Sequence, residues 1–205
     1  MPENGCDVVV VGASAGGVEA LAALAHALPA VFGAPILVVL HVPPTGTSVL
    51  PGILSRAGRL PAVYARDGET VEAGHIYVAP PDSHLLISGR LLQLTRGPRE
   101  NGHRPAIDPL FRSAAASHKR RAAGVVLSGT LDDGTAGLFA IKQGGGATLV
   151  QDPAEALYGA MPASAIAYVQ PDYVLPTAEL ADVLVRLTGA SNGGRAKPGG
   201  VAVRF

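Results

Sequence analysis

The stretch DVVVVGASAGGVEALAALA, residues 7–25, decides the fold class. Four successive valines, Val8–Val11, show no polar alternation and read as a strand buried on both faces. A turn of small residues, Gly12-Ala13-Ser14-Ala15-Gly16-Gly17, follows and opens into an apolar segment with helical spacing. Strand, glycine turn and helix form the opening unit of an α/β fold with a parallel sheet. Such a turn can cradle a nucleotide phosphate, or it can lift Ser14 as a nucleophile.

The nucleotide reading fits poorly. A dinucleotide fingerprint wants a second glycine where this chain has Ser14, and an acidic residue about 20 positions on. No Asp or Glu occurs between Glu19 and Asp67, and no Gly-Lys-Ser/Thr follows to make a P-loop. The sequence GASAG (12–16) instead fits G-x-S-x-G, a sharp turn that raises a serine hydroxyl above the sheet edge. The following helix would bring its free N–H groups and positive dipole end close to that serine.

Further runs repeat the alternation. PILVVLH (35–41), GVVLSG (124–129) and ATLVQD (147–152) read as buried parallel strands. Helical stretches are expected at 16–28, 47–57, 107–119 and 134–143, with a closing helix at 177–187. The expected fold is therefore α/β, a largely parallel Rossmann-like sheet flanked by helices. Between residues 62 and 95, four short runs separated by Gly, Pro and Asp read as antiparallel hairpins. One domain is expected over 1–188, with a flexible C-terminal tail at 189–205.

Composition narrows the function. The 205 residues carry a formal net charge of zero, which gives no support to a nucleic-acid or membrane-surface role. Seven Lys/Arg fall within residues 96–121 against Glu100 and Asp108, either a solvated face or one that meets an acidic protein. Cys6 is the only cysteine, so no intrachain disulfide or cysteine-based zinc site can form. No apolar run reaches the ~18 residues of a bilayer span, and a cytoplasmic protein is expected.

Ligand sites in parallel sheets form beyond the carboxyl ends of the strands. Past the first strand stands Ser14, past the second His41, and past GVVLSG the pair Asp132–Asp133. Nucleophile, imidazole base and carboxylate are the set for acyl transfer. Their chain order, Ser–His–Asp, differs from the Ser–Asp–His order of α/β-hydrolases.

These loops resemble the catalytic domain of the chemotaxis receptor methylesterases, the CheB-type protein-glutamate methylesterase family. The motifs are GASAGG (12–17), HVPP (41–44), GHIYVAPPDSHLLI (74–87), HRPAIDPLF (103–111), SGTLDDGTAGL (128–138) and QDPAEALYGAMPASAIA (151–167). The resemblance implies catalytic Ser14, His41 and Asp133, and hydrolysis of glutamate γ-methyl esters on methyl-accepting chemotaxis receptors, with some glutamine deamidation. It implies no cofactor and no metal. Oxyanion or substrate contacts are expected from Ala15, Gly16, Thr130, His103 and Arg104. The family usually has Thr, Met, Gly and Arg where this chain has Ala15, Thr130, Leu131 and Ala163. Its receiver domain is not found before Asp7, so activity without phosphorylation is expected. Two other readings stay open: a receptor-docking domain with weakened turnover, and an esterase or amidase acting on another protein carboxyl derivative.

Overall fold

The structure, a computed structural model, describes residues 5–42 and 49–189. The expected tail therefore lies, except for Gly189, outside the described residues. In chain order the elements are β1 (Val8–Ala13), α1 (Gly17–Ala27), β2 (Ile36–Leu40), α2 (Leu50–Ala57), β3 (Ala62–Tyr64) and β4 (Ile76–Val78). Then come β5 (His84–Ser88), β6 (Leu91–Thr95), α3 (Ile107–His118), β7 (Ala122–Val126) and α4 (Thr135–Gln143). The chain closes with β8 (Ala147–Gln151), α5 (Ala160–Val169), β9 (Tyr173–Leu175) and α6 (Thr177–Leu187).

Seven strands form one parallel sheet in the order β3-β4-β2-β1-β7-β8-β9. Strand β1 sits at its centre, with Val11 opposite Val38 of β2 and Val125 of β7. All six β1 residues are buried, as the unbroken valine run requires. Successive side chains alternate between faces. Val9 and Val11 belong to the core formed with α1, α2 and α6, while Val8 and Val10 belong to the core formed with α3, α4, α5 and the β5–β6 pair. Each fully buried valine contributes about 1.5–3 kcal/mol relative to exposure.

The middle of the chain holds the expected antiparallel hairpin, but only over its second half. Among the described strands β5 and β6 alone are antiparallel, and they form a separate two-stranded sheet. Strands β3 and β4 instead join the main sheet parallel to β2. The turn-rich connection 65–75 holds no helix but is long enough to carry the chain back to the start of the next strand, so its Gly and Asp residues do not close a hairpin. Helix α5 and edge strand β9 add to the elements expected from the sequence. Among the described residues no helix is long and apolar enough to cross a membrane.

Candidate active site

Chain direction switches at the centre of the sheet. From β1 the chain moves to β2 on one side, and later returns to place β7 on the other. This leaves a crevice outside the carboxyl ends of β1, β2 and β7. Ser14 follows β1, His41 follows β2, and Asp133 lies on the loop after β7.

The serine turn is held from both sides. Ser14 N–H donates to the Ser128 carbonyl at 2.9 Å, and Gly17 N–H donates to the Ser14 carbonyl at 2.8 Å. The left-handed backbone falls on Gly16, with φ of 68°, and not on the serine. A side chain there would also collide, because a Cβ would come 2.8 Å from both Leu157 Cβ and Ser128 Oγ. Gly129 makes a second close approach. A Cβ at that position would lie 2.6 Å from Met161 Cε and 3.0 Å from Ser14 Cβ. Glycine at these two positions lets three loops converge on the serine.

His41 links the other two groups. Its Nδ1 stands 3.0 Å from Ser14 Oγ, and its Nε2 stands 2.7 Å from Asp133 Oδ2. The ring thus presents Nδ1 to the serine, the reverse of the chymotrypsin arrangement. Ionised Asp133 can only accept, so Nε2 carries a proton, and in the neutral imidazole Nδ1 is the acceptor for the serine hydroxyl.

Asp133 is 2% exposed and fully engaged. Its Oδ2 also accepts from Ile107 N–H at 2.7 Å, and its Oδ1 accepts from Asp108 N–H at 3.2 Å. It therefore caps α3 from a distant loop, at the end where the helix dipole favours an anion. Asp108 returns the arrangement. Its Oδ1 accepts from the N–H groups of Gly134 (3.1 Å) and Gly137 (2.6 Å), capping α4. Burial pushes the Asp133 carboxyl up, but hydrogen bonds from His41, Ile107 and Asn101 outweigh it and hold the group below the usual carboxylate range. Burial, reinforced by the Asp133 charge, keeps Asp108 above that range.

One tight turn covers this network. Glu100 and His103 exchange backbone hydrogen bonds of 3.1 and 2.8 Å around Asn101 and Gly102, whose φ angles are 52° and 81°. Two positive φ values at Asn-Gly are the pattern of a two-residue hairpin turn. From this turn Asn101 Nδ2 donates to Asp133 Oδ1 at 2.7 Å and to Asp108 Oδ2 at 2.9 Å. His103 lies flat on His41, and burial first, then the neighbouring imidazole, lowers its pKa.

The remaining expected residues divide. Among the described residues, the N–H groups of Ala15 and Gly16 donate to no partner, so both are available beside Ser14. Thr130 and Leu131 are exposed on the loop between Gly129 and Asp133. Arg104 is engaged within the chain: it pairs with Asp82 at 2.6 Å and donates to the carbonyls of Arg96 and Gly97. It braces a loop, which leaves little of it for substrate. Two residues of the network, Asn101 and Asp108, are not among those the sequence singles out for the site. The Asn-Gly pair signals a turn, but nothing local tells where the amide points. Among the described residues no group of three or more His, Cys, Asp or Glu is placed to hold a metal ion.

Residues 9–184 match the model of the CheB methylesterase family. The chain belongs to that family. A protein-glutamate methylesterase/protein-glutamine glutaminase of Anaeromyxobacter dehalogenans is 41% identical over 182 residues, covering 89% of this chain and 53% of the relative. A putative enzyme of the same name from Leptospira interrogans is 37% identical, covering 88% of this chain and 94% of the relative. The chain thus spans about half the length of the first and nearly all of the second. The crystal structure of the Thermotoga maritima CheB methylesterase catalytic domain superposes with a TM-score of 0.85 at 35% identity, over 89% of this chain and 98% of that one. The CheB fold of the Thermotoga domain therefore extends over nearly all the described residues.

Proposed function

We propose that this chain is a serine hydrolase that removes γ-methyl esters from glutamates of chemoreceptor cytoplasmic domains and deamidates glutamines there. One observation carries the chemistry: Ser14 Oγ, His41 and Asp133 are joined by hydrogen bonds of 3.0 and 2.7 Å at the carboxyl edge of the sheet. The glutamyl ester and glutamine substrates are those in the names of the relatives, and the chemoreceptor follows from the motifs that resemble the receptor methylesterases.

In this reading His41 Nδ1 takes the hydroxyl proton as Ser14 Oγ attacks the ester carbonyl carbon. The imidazolium keeps its Nε2–H on Asp133, which offsets the new charge and stays ionised. Ala15 and Gly16 N–H donate to the oxyanion, aided by the start of α1. When the tetrahedral adduct collapses, Nδ1 returns the proton to the leaving oxygen and methanol departs. Water then attacks the glutamyl–Ser14 ester by the same proton route, leaving a glutamate carboxylate. With glutamine, ammonia leaves in place of methanol.

The test is methanol release from receptor-containing membranes carrying labelled methyl groups. Release by the purified chain, abolished in Ser14→Ala, is expected. A folded wild-type protein that releases nothing, or a Ser14→Ala variant as active as wild type, overturns the reading.

A further inference from the structure

The two hydrogens of the Asn101 amide are divided between two carboxylates, one on each of two capped helix ends. Among the described residues it is the only side chain that bonds both Asp133 and Asp108. Among the described residues it is also the only side-chain donor on the Asp133 oxygen that faces away from His41, since the other bond there comes from Asp108 N–H. Of the two bonds on that oxygen the Asn101 one is the shorter, 2.7 Å against 3.2 Å, so it is the stronger restraint on rotation about χ2, which would carry Oδ2 away from Nε2. The second, less favourable consequence of the fold is that it buries two acids side by side. Like charges at such a site push one carboxyl towards its protonated form.

We infer that Asn101 is a positioning residue for catalysis: its amide fixes the plane of the Asp133 carboxylate against His41 and lets Asp133 and Asp108 stay ionised together. The role rests on the Ser14–His41–Asp133 reading and acts wholly through Asp133. The ionisable groups facing this carboxylate are His41 from the β2 end and Asp108 from α3, with His103 above the imidazole. The charges of Arg99 and Arg112 reach His103 and Asp108 respectively.

The turn makes a clean substitution available. Asp-Gly suits the same hairpin turn as Asn-Gly, and Asp tolerates a positive φ, so Asn101→Asp keeps the backbone while replacing the donor by an acceptor. At about pH 8 this variant should lose about 100-fold in kcat with KM little changed, the scale of a misplaced catalytic group. As the pH falls towards about 5.5 the deficit relative to wild type should shrink, because the introduced carboxyl, once protonated, again offers a hydrogen to Asp133. A purely structural role would give the same deficit at every pH. Asn101→Gly, which accepts the turn without strain, decides the matter if the first variant does not fold. It should lower kcat and move the acid limb of the rate profile to higher pH, since Asp133 then protonates more readily. Profiles parallel to wild type in the folded variants overturn the inference. Wild-type protein without Ser14-dependent methanol release would instead overturn the reading it rests on.

Discussion

The imidazole of His103 stacks on that of His41 with ring centroids 3.6 Å apart and planes only 7° from parallel. His41 therefore meets the crevice with one face already covered. A neutral His103 can lie against a transient His41 imidazolium; a protonated one repels it. Burial, then the charge of His41, keeps His103 below its ordinary pKa, so at neutral pH the cover is neutral.

The sign of the pH effect follows. A histidine whose folded pKa is depressed binds its proton more readily in the unfolded chain. Stability should therefore fall as pH drops below about 6.5, the unfolded value, towards the folded one. Removing the group by His103→Phe should flatten the dependence in that window. Melting temperatures of wild type and variant, measured across it, check this. Parallel curves would mean that His103 is not held neutral by its surroundings.

Asp133→Asn should lower kcat by about 10⁴, because an amide can favour the wrong imidazole tautomer. It should also lower stability, since Asp133 accepts backbone hydrogen bonds from Ile107 and Asp108 at the start of α3. Asp132→Asn should do neither, because Asp132 is exposed on the same loop. Methanol-release kinetics and urea denaturation of both variants separate the two acids. A worse defect at position 132 would move the carboxylate role to Asp132.

Leu131 holds a left-handed backbone, φ 64°, with its side chain 69% exposed. That conformation costs a non-glycine residue about 1–2 kcal/mol, against about 0.5–1 kcal/mol of extra entropy that a glycine would lose on folding. Leu131→Gly should therefore be neutral to slightly stabilising, where Leu131→Val should destabilise. Denaturant midpoints give the answer, and a clear loss of stability in the glycine variant would show that the exposed leucine makes a contact worth more than its strain.

Gly16→Ala combines a positive φ with a clash at 2.8 Å. A loss of about 1–3 kcal/mol is expected from the backbone alone, with Ser14 displaced from His41. Labelling of Ser14 by a phosphonate probe should slow by more than the stability loss explains. Equal labelling rates in the two proteins would show that the turn tolerates a side chain.

The valine run, the glycine turn and the spacing of later apolar runs are local signals. Between them they determined a parallel α/β sheet and the loops that carry Ser14, His41 and Asp133, because a strand buried on both faces leaves only its carboxyl end for polar groups. The hairpin at 84–95 was legible too, whereas residues 62–78 misled for the same local reason: turn residues mark where the chain bends but not how far it travels before pairing again. Only the tertiary structure decided that β3 and β4 join the main sheet, and that Arg104 is spent on Asp82. It alone set which imidazole nitrogen faces Ser14. The capping of α3 by Asp133 and of α4 by Asp108 links residues 25 to 29 positions apart, and the amide of Asn101 reaches Asp133 across 32. Hydrogen bonds of that kind depend on where separate elements come to rest, and sequence periodicity carries no record of them.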